Sequence, residues 1–119
     1  FLIMREGQKV LGYLSGCLDS TLAATEVEVP AFKLFEDLFE TYPAHFHINF
    51  HPDCRGRGLG SLLVLEFVKV LKKEGVSGVH LVSSPEALNI SFYERLGFLY
   101  QVKREFNQMN LLFMGKTLE

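Results

Sequence analysis

The stretch that most constrains this chain is His51–Ser61, His-Pro-Asp-Cys-Arg-Gly-Arg-Gly-Leu-Gly-Ser. An apolar run, Phe46–Phe50, leads into it, and a helical pattern, Leu59–Lys73, leads out. Strand, glycine-rich turn and helix together make an anion cradle. Glycine lets the backbone approach a phosphate closely, and the first turn of a helix offers unpaired N–H groups. The helix dipole favours negative charge at the same end. Arg55 and Arg57 add two permanent cations suited to phosphate oxygens. The turn therefore reads as a pyrophosphate site, in which the main-chain N–H groups of Arg55–Ser61 matter more than either guanidinium.

Spacing excludes two other phosphate motifs. The dinucleotide fingerprint requires G-x-G-x-x-G, whereas Gly56, Gly58 and Gly60 give G-x-G-x-G, with Ser61 where the third glycine is needed. The Walker A pattern requires a glycine five residues before Gly115-Lys116-Thr117, and Asn110 stands there. What does fit is Arg55-x-x-Gly58-x-Gly60.

The rest of the chain reads as one domain over residues 1–119. Leu2–Met4 and Lys9–Leu18 flank Arg5-Glu6-Gly7-Gln8 as a hairpin, and Gly12 and Gly16 suggest a bulge or a close backbone approach. Ala31–Glu40 places Phe32, Leu34, Phe35, Leu38 and Phe39 at helical spacing after Pro30. From Tyr42 to His51, Phe46, Ile48 and Phe50 alternate with His45, His47, Asn49 and His51, which predicts a strand with an apolar face and an imidazole face. Leu59, Leu62, Leu63, Phe67, Val70 and Leu71 trace a helical stripe, with Gly75 as a left-handed cap. Val79–Val82 is the next strand. Ser83 or Ser84 with Pro85 starts a helix that runs to Leu96 and stops at Gly97. Phe98–Lys103 and Asn110–Gly115 form a final hairpin. Strands and helices that alternate in this way predict an α/β fold, a mixed sheet flanked by helices.

Bulk properties bound the function. Hydrophobic residues make up 48% and charged residues 22%, an ordinary globular composition. The net charge of −2 argues against a nucleic-acid surface. No run of some eighteen apolar residues predicts a membrane span. Two cysteines, Cys17 and Cys54, form no disulfide framework, so a reduced, cytoplasmic protein is expected. His45, His47, His51 and Cys54 lack the usual zinc spacing, and no metal is expected.

Arg55-x-x-Gly58-x-Gly60 resembles the [R/Q]-x-x-G-x-[G/A] signature of the GNAT acetyltransferase superfamily. Phe92-Tyr93-…-Gly97-Phe98 is similar to that family's late helix ending Phe-Tyr-x-x-x-Gly-Phe. Both motifs lie in the family's order. Tyr42-Pro43-Ala44-His45 and Gly78-Val79-His80-Leu81 resemble the acetyltransferase-like domains associated with O-GlcNAcases. The resemblance implies a GNAT-like acyl-CoA N-acyltransferase fold lacking the family's first strand and helices, which would leave strand edges favouring a homodimer. It implies acetyl-CoA as co-substrate and direct transfer to an amine-bearing acceptor. Asn49 and Phe50 would offer an N–H to the acetyl oxygen. Arg55, Gly56, Arg57, Gly58, Leu59, Gly60 and Ser61 would hold the pyrophosphate, and Tyr93 would protonate the leaving thiolate.

An ammonium has no lone pair at neutral pH, so the acceptor must lose a proton. His47, on the imidazole face with His45 and His51, is the candidate base. Glu86 stands where the family usually carries an asparagine, seven residues before Tyr93. Asn89, where the family has a small residue, is kept as the amide for the coenzyme's pantetheine arm. The alternative function is a catalytically silent module of the same fold that binds CoA or a protein partner.

Overall fold

A computed structural model describes residues 2–20, 30–51, 58–87 and 89–118, with side chains from residue 34 onward in the second stretch. Six strands form one sheet in the order β1-β2-β3-β4-β6-β5. They are β1 Leu2–Glu6, β2 Lys9–Cys17, β3 Ala44–Phe50, β4 Gly78–Ser83, β5 Tyr100–Phe106 and β6 Met109–Thr117. Helix α1 spans Leu59–Lys73, helix α2 spans Ile90–Arg95, and a 3₁₀ segment covers Pro30–Leu38. The order of strands and helices is the one the sequence predicts.

β1 and β2 meet through Gly7-Gln8, where Gly7 supplies φ +64° and Glu6 pairs with Lys9. The register then slips between Met4 and Arg5, because Met4 faces Gly12 whereas Arg5 faces Val10. This is the bulge that Gly12 foreshadowed. Gly12 also admits the ring of Phe50, and Gly16 admits the ring of Phe67; a Cβ at either glycine would collide with that ring.

The pleat of β3 gives the sheet two unlike faces. Ala44, Phe46, Ile48 and Phe50 turn to α1 and α2. There Leu63, Val64, Phe67, Val68 and Leu71 of α1 are buried, at 3.6-residue spacing, with Leu14, Val79, Tyr93 and Phe98. Each large side chain buried here contributes roughly 1.5–3 kcal/mol. Gly75, at φ +74°, ends α1 as expected, with Val76 N–H reaching Leu71 O over 3.0 Å. The other face holds a second cluster at the β4-β6-β5 end. Phe35, Phe39 and Tyr42 pack on Phe113, with Leu34, Leu38, Val102 and Leu111 around them.

Two helices differ from expectation. The aromatic run after Pro30 winds as 3₁₀ rather than α, and breaks at Phe35 (φ −111°, ψ 22°). That break lets both Phe35 and Phe39 face the sheet, so burial outweighs helical regularity. The second difference is the start of α2. Ser84 forms a closed turn: its Oγ donates to Glu86 Oε2 over 2.9 Å, and Ala87 N–H donates to Ser84 O over 3.0 Å. The helix begins only at Ile90, after the side-chain bonds that mimic a cap have been used in the turn.

Candidate active site

β3 and β4 are parallel neighbours that pair only at Ala44–Val79 and His45–His80. Beyond those two positions each strand follows its other partner. β3 stays paired with β2 as far as Phe50–Gly12, and β4 stays paired with β6 as far as Ser83–Leu112. The facing edges of Phe46–Phe50 and Leu81–Ser83 therefore diverge into a wedge. A strand edge carries N–H and C=O groups that need partners. In a parallel sheet the open carboxyl ends of strands are where ligands bind.

The amino end of α1 lies beside the end of β3, since Gly60 in its first turn approaches the ring of Phe50. Gly58 sits before the helix at φ +75°, in the left-handed region that glycine occupies without penalty. Gly60 has a different reason to be glycine. A Cβ there would stand 3.2 Å from the ring of Phe92 and 3.6 Å from that of Phe50. The first intrahelical bond of this end runs from Leu62 N–H to Gly58 O. The N–H groups of Leu59, Gly60 and Ser61 are thus the ones a helix start presents to an anion. Arg55, Gly56 and Arg57, named from the sequence as phosphate contacts, lie outside the described residues, as does Cys54.

Tyr93 is on the α1 side of the sheet. It is 5% exposed and packed among Phe46, Phe92 and Phe98, with ring centroids 6.3, 5.1 and 6.0 Å away. Burial pushes its phenol above the ordinary value of 10, so the hydroxyl stays protonated at neutral pH. Asn89 caps α2 without a side-chain bond to the helix and is exposed.

The imidazoles are on the opposite side. His45, His47 and Asn49 project away from α1, and across β2 they face Cys17, Ser15 and Tyr13. The rings of His45 and His47 lie 6.1 Å apart, edge to face. His51 leaves the strand pattern: it lies just past the end of β3, where its N–H bonds Leu11 O over 2.8 Å. Burial, and then the neighbouring His47, lower the pKa of His45. Tyr93 and His47, both predicted from sequence, are consequently on opposite sides of the sheet.

Two polar residues of this region escaped the sequence reading. His80, 3% exposed, is sandwiched between Phe39 and Phe113 at 5.2 and 4.5 Å. Its Nδ1 is 2.8 Å from Tyr42 O, and burial lowers its pKa to about 4. Ser20, fully buried, places Oγ 2.6 Å from His45 Nδ1. A lone histidine in an apolar strand and a serine in an unpatterned stretch carry no periodic signal. Among the described residues there is no group of three or more His, Cys, Asp or Glu placed to hold a metal ion. No helix among them is long and apolar enough to cross a membrane.

A parted parallel pair, a glycine-bounded helix start and a buried tyrosine beside the parting point define an α/β domain whose central sheet is opened between two parallel strands. The chain belongs to the acetyltransferase (GNAT) family, whose profile matches residues 1–98. It is 39% identical over 49 residues, 41% of its own length and 26% of the relative's, to an uncharacterized N-acetyltransferase of Gracilaria tenuistipitata var. liui. The matched stretch thus spans about a quarter of that relative. Among solved structures it superposes on SsHAT with a TM-score of 0.69 at 25% identity, over 97% of this chain and 70% of that one. The ribosomal-protein-S18-alanine N-acetyltransferase of Escherichia coli shares the fold, with a TM-score of 0.68 at 18% identity, over 98% and 67% of the two chains. So does YncA of Salmonella typhimurium, a putative acetyltransferase solved with its cofactor acetyl-CoA (TM-score 0.66, 21% identity, 98% and 63% covered).

Proposed function

We propose that this chain is an acetyl-CoA-dependent N-acetyltransferase that moves the acetyl group directly to a primary amine. The single observation that carries this reading is the wedge. β3 and β4 part after His45 and His80 while each keeps its outer partner, so a slot opens toward the start of α1. The residues there fit the co-substrate. Gly58 supplies the left-handed turn into the helix, the Leu59–Ser61 N–H groups would hold an anion, and Phe50 N–H on the β3 edge away from β2 would bond a carbonyl oxygen, whereas Asn49 N–H points to β2.

The chemistry then divides between the two faces. On the imidazole side, His47 accepts a proton from the acceptor ammonium, which exposes the nitrogen lone pair. That nitrogen attacks the thioester carbon, a C–N bond forms, and the C–S bond breaks. On the α1 side, Tyr93 gives its phenolic proton to the departing sulfur; the new amide nitrogen then loses its surplus proton, which restores the Tyr93 phenol, and His47 releases its own to solvent. The raised phenol pKa keeps that proton in place until the C–S bond breaks.

A thermal-shift titration with acetyl-CoA, followed by thiol release over a panel of amines, tests the reading. Stabilisation by acetyl-CoA with turnover of at least one amine supports it. Stabilisation without thiol release for any amine would make the domain a silent coenzyme-binding module instead. His47→Ala should lower kcat by roughly 10²-fold or more and leave acetyl-CoA binding intact.

A further inference from the structure

β2 and β3 are antiparallel partners, with Cys17 opposite His45, yet they are not joined by a tight turn. The connection leaves β2 after Cys17 and returns at Ala44. Its two ends are tied to each other at one residue. Ser20 N–H donates to Pro43 O over 2.6 Å, next to the start of β3. The same residue, fully buried, places its Oγ 2.6 Å from His45 Nδ1. The backbone bond fixes where the hydroxyl stands, and the hydroxyl fixes the imidazole.

From this geometry we infer that Ser20 is a positioning residue. Its Oγ accepts Nδ1–H of His45, which holds that ring with Nε2 as the proton acceptor, and His45 joins His47 as a base for the acceptor amine. The inference rests on the transfer reading above. A neutral imidazole carries one proton, and whichever nitrogen donates leaves the other to accept. A hydroxyl can donate to Nδ1 or accept from it; held there by the main chain and accepting, it leaves Nε2 as the basic nitrogen, as the orienting partner of a catalytic histidine must. Two other imidazoles neighbour the ring. His80 of β4 is 5.6 Å away and tilted, and His47 is 6.1 Å away. The titratable groups facing His45 among the described residues are thus His47 on its own strand, His80 on β4 and Cys17 opposite it on β2. His80 is buried, with its Nδ1 engaged with Tyr42 O. No proton needs to leave the Ser20 hydroxyl during the transfer. It stays the acceptor of Nδ1–H while Nε2 gains and later releases the proton of the amine.

The experiment uses the whole chain with isotope-labelled histidine. In the resting protein, long-range proton–nitrogen spectra should show His45 protonated at Nδ1. A wild-type spectrum with the proton on Nε2 overturns the assignment, whether or not any amine is turned over. Ser20→Ala keeps the bond to Pro43 and removes only the hydroxyl. It should cut kcat about tenfold or more, leave KM for acetyl-CoA unchanged and move the acidic limb of the kcat profile further below the ordinary imidazole value. Ser20→Thr, which restores a hydroxyl, should recover most of that loss. An alanine variant with the wild-type kcat and pH profile would exclude the role. So would a loss that threonine fails to restore in a variant that melts like the wild type. If the wild type releases thiol with no amine, transfer itself fails and the catalytic part of the inference falls with it. The spectrum alone then reports whether Ser20 orients the ring.

Discussion

At the scale of single residues, the site depends on side chains that are either missing by design or held in one state. Gly16 belongs to the first kind. The Phe67 ring lies where a Cβ would be, so Gly16→Val must displace α1 from β2. Overpacking of this sort costs about 1–3 kcal/mol, and a lowered midpoint in a denaturant melt is the expected outcome. Tyr93 belongs to the second kind. Its ring is part of the core with Phe46 and Phe98, while its hydroxyl is the group the chemistry needs. Tyr93→Phe keeps the ring. It should therefore leave the melting temperature within a few degrees of wild type and lower kcat by roughly 10- to 100-fold. A kcat equal to wild type, measured by thiol release at saturating substrates, would remove Tyr93 from the mechanism. The motif around Tyr93 was legible in the sequence because it is local. A close approach at Gly16 was legible as well, but not that Phe67 makes it, because that partner is 51 residues away in the chain.

At the scale of elements, the least expected piece is the 3₁₀ segment. It is fastened to the far edge of the sheet by one residue. Arg104 of β5 donates Nη1–H to Leu34 O over 2.9 Å and pairs bidentately with Asp37, with 2.9 Å from Nη2 to Oδ2. The guanidinium also lies 5.3 Å from the centre of the Phe35 ring. Its planar fork suits both a carboxylate and an aromatic face, which a lysine cannot match. Arg104→Lys should therefore destabilise the protein by about 1 kcal/mol and increase hydrogen exchange in residues 34–42. A double-mutant cycle with Asp37→Asn separates the ion pair from the bond to Leu34 O. Equal exchange in wild type and variant would show that the aromatic packing alone holds the segment. The sequence marked this stretch as helical, but its fastening is a pairing between β5 and a segment 67 residues earlier.

At the scale of the whole molecule, the two faces of the sheet respond differently to pH. The α1 face is apolar. The other face buries His80, whose pKa burial holds at about 4 against an ordinary 6.5. Because the unfolded chain takes up that proton first, it binds more protons than the native state between those two values. Stability is therefore full above about pH 6.5 and falls as the pH drops toward 4. The shift corresponds to a loss of ~2 kcal/mol at pH 5 from His80 alone. His45, also lowered by burial, acts in the same direction. The expected outcome is a clear fall in the denaturation midpoint between pH 7 and pH 5, and a smaller fall in His80→Gln. An equal fall in both proteins would assign the acid sensitivity elsewhere. Burial of His80 was not foreseeable, since the run Gly78–Ser83 looks the same whether one or both faces are covered.

By itself the chain's order of residues determined the alternation of strands and helices, the extent of α1 and the two faces of β3; the predicted stripe of α1 held only in part, since Leu62 and Val70 are exposed and Val64 and Val68 are buried instead. Each follows from periodicity or backbone freedom within a few residues, and such local preferences need no distant partner. The tertiary structure alone decided where β3 and β4 part, on which side of the sheet Tyr93 and His47 stand, and that Ser20 meets His45. Those facts are set by competition for partners between segments remote in sequence. β3 keeps β2, and β4 keeps β6, because each of those antiparallel ladders is longer than the one the two strands share.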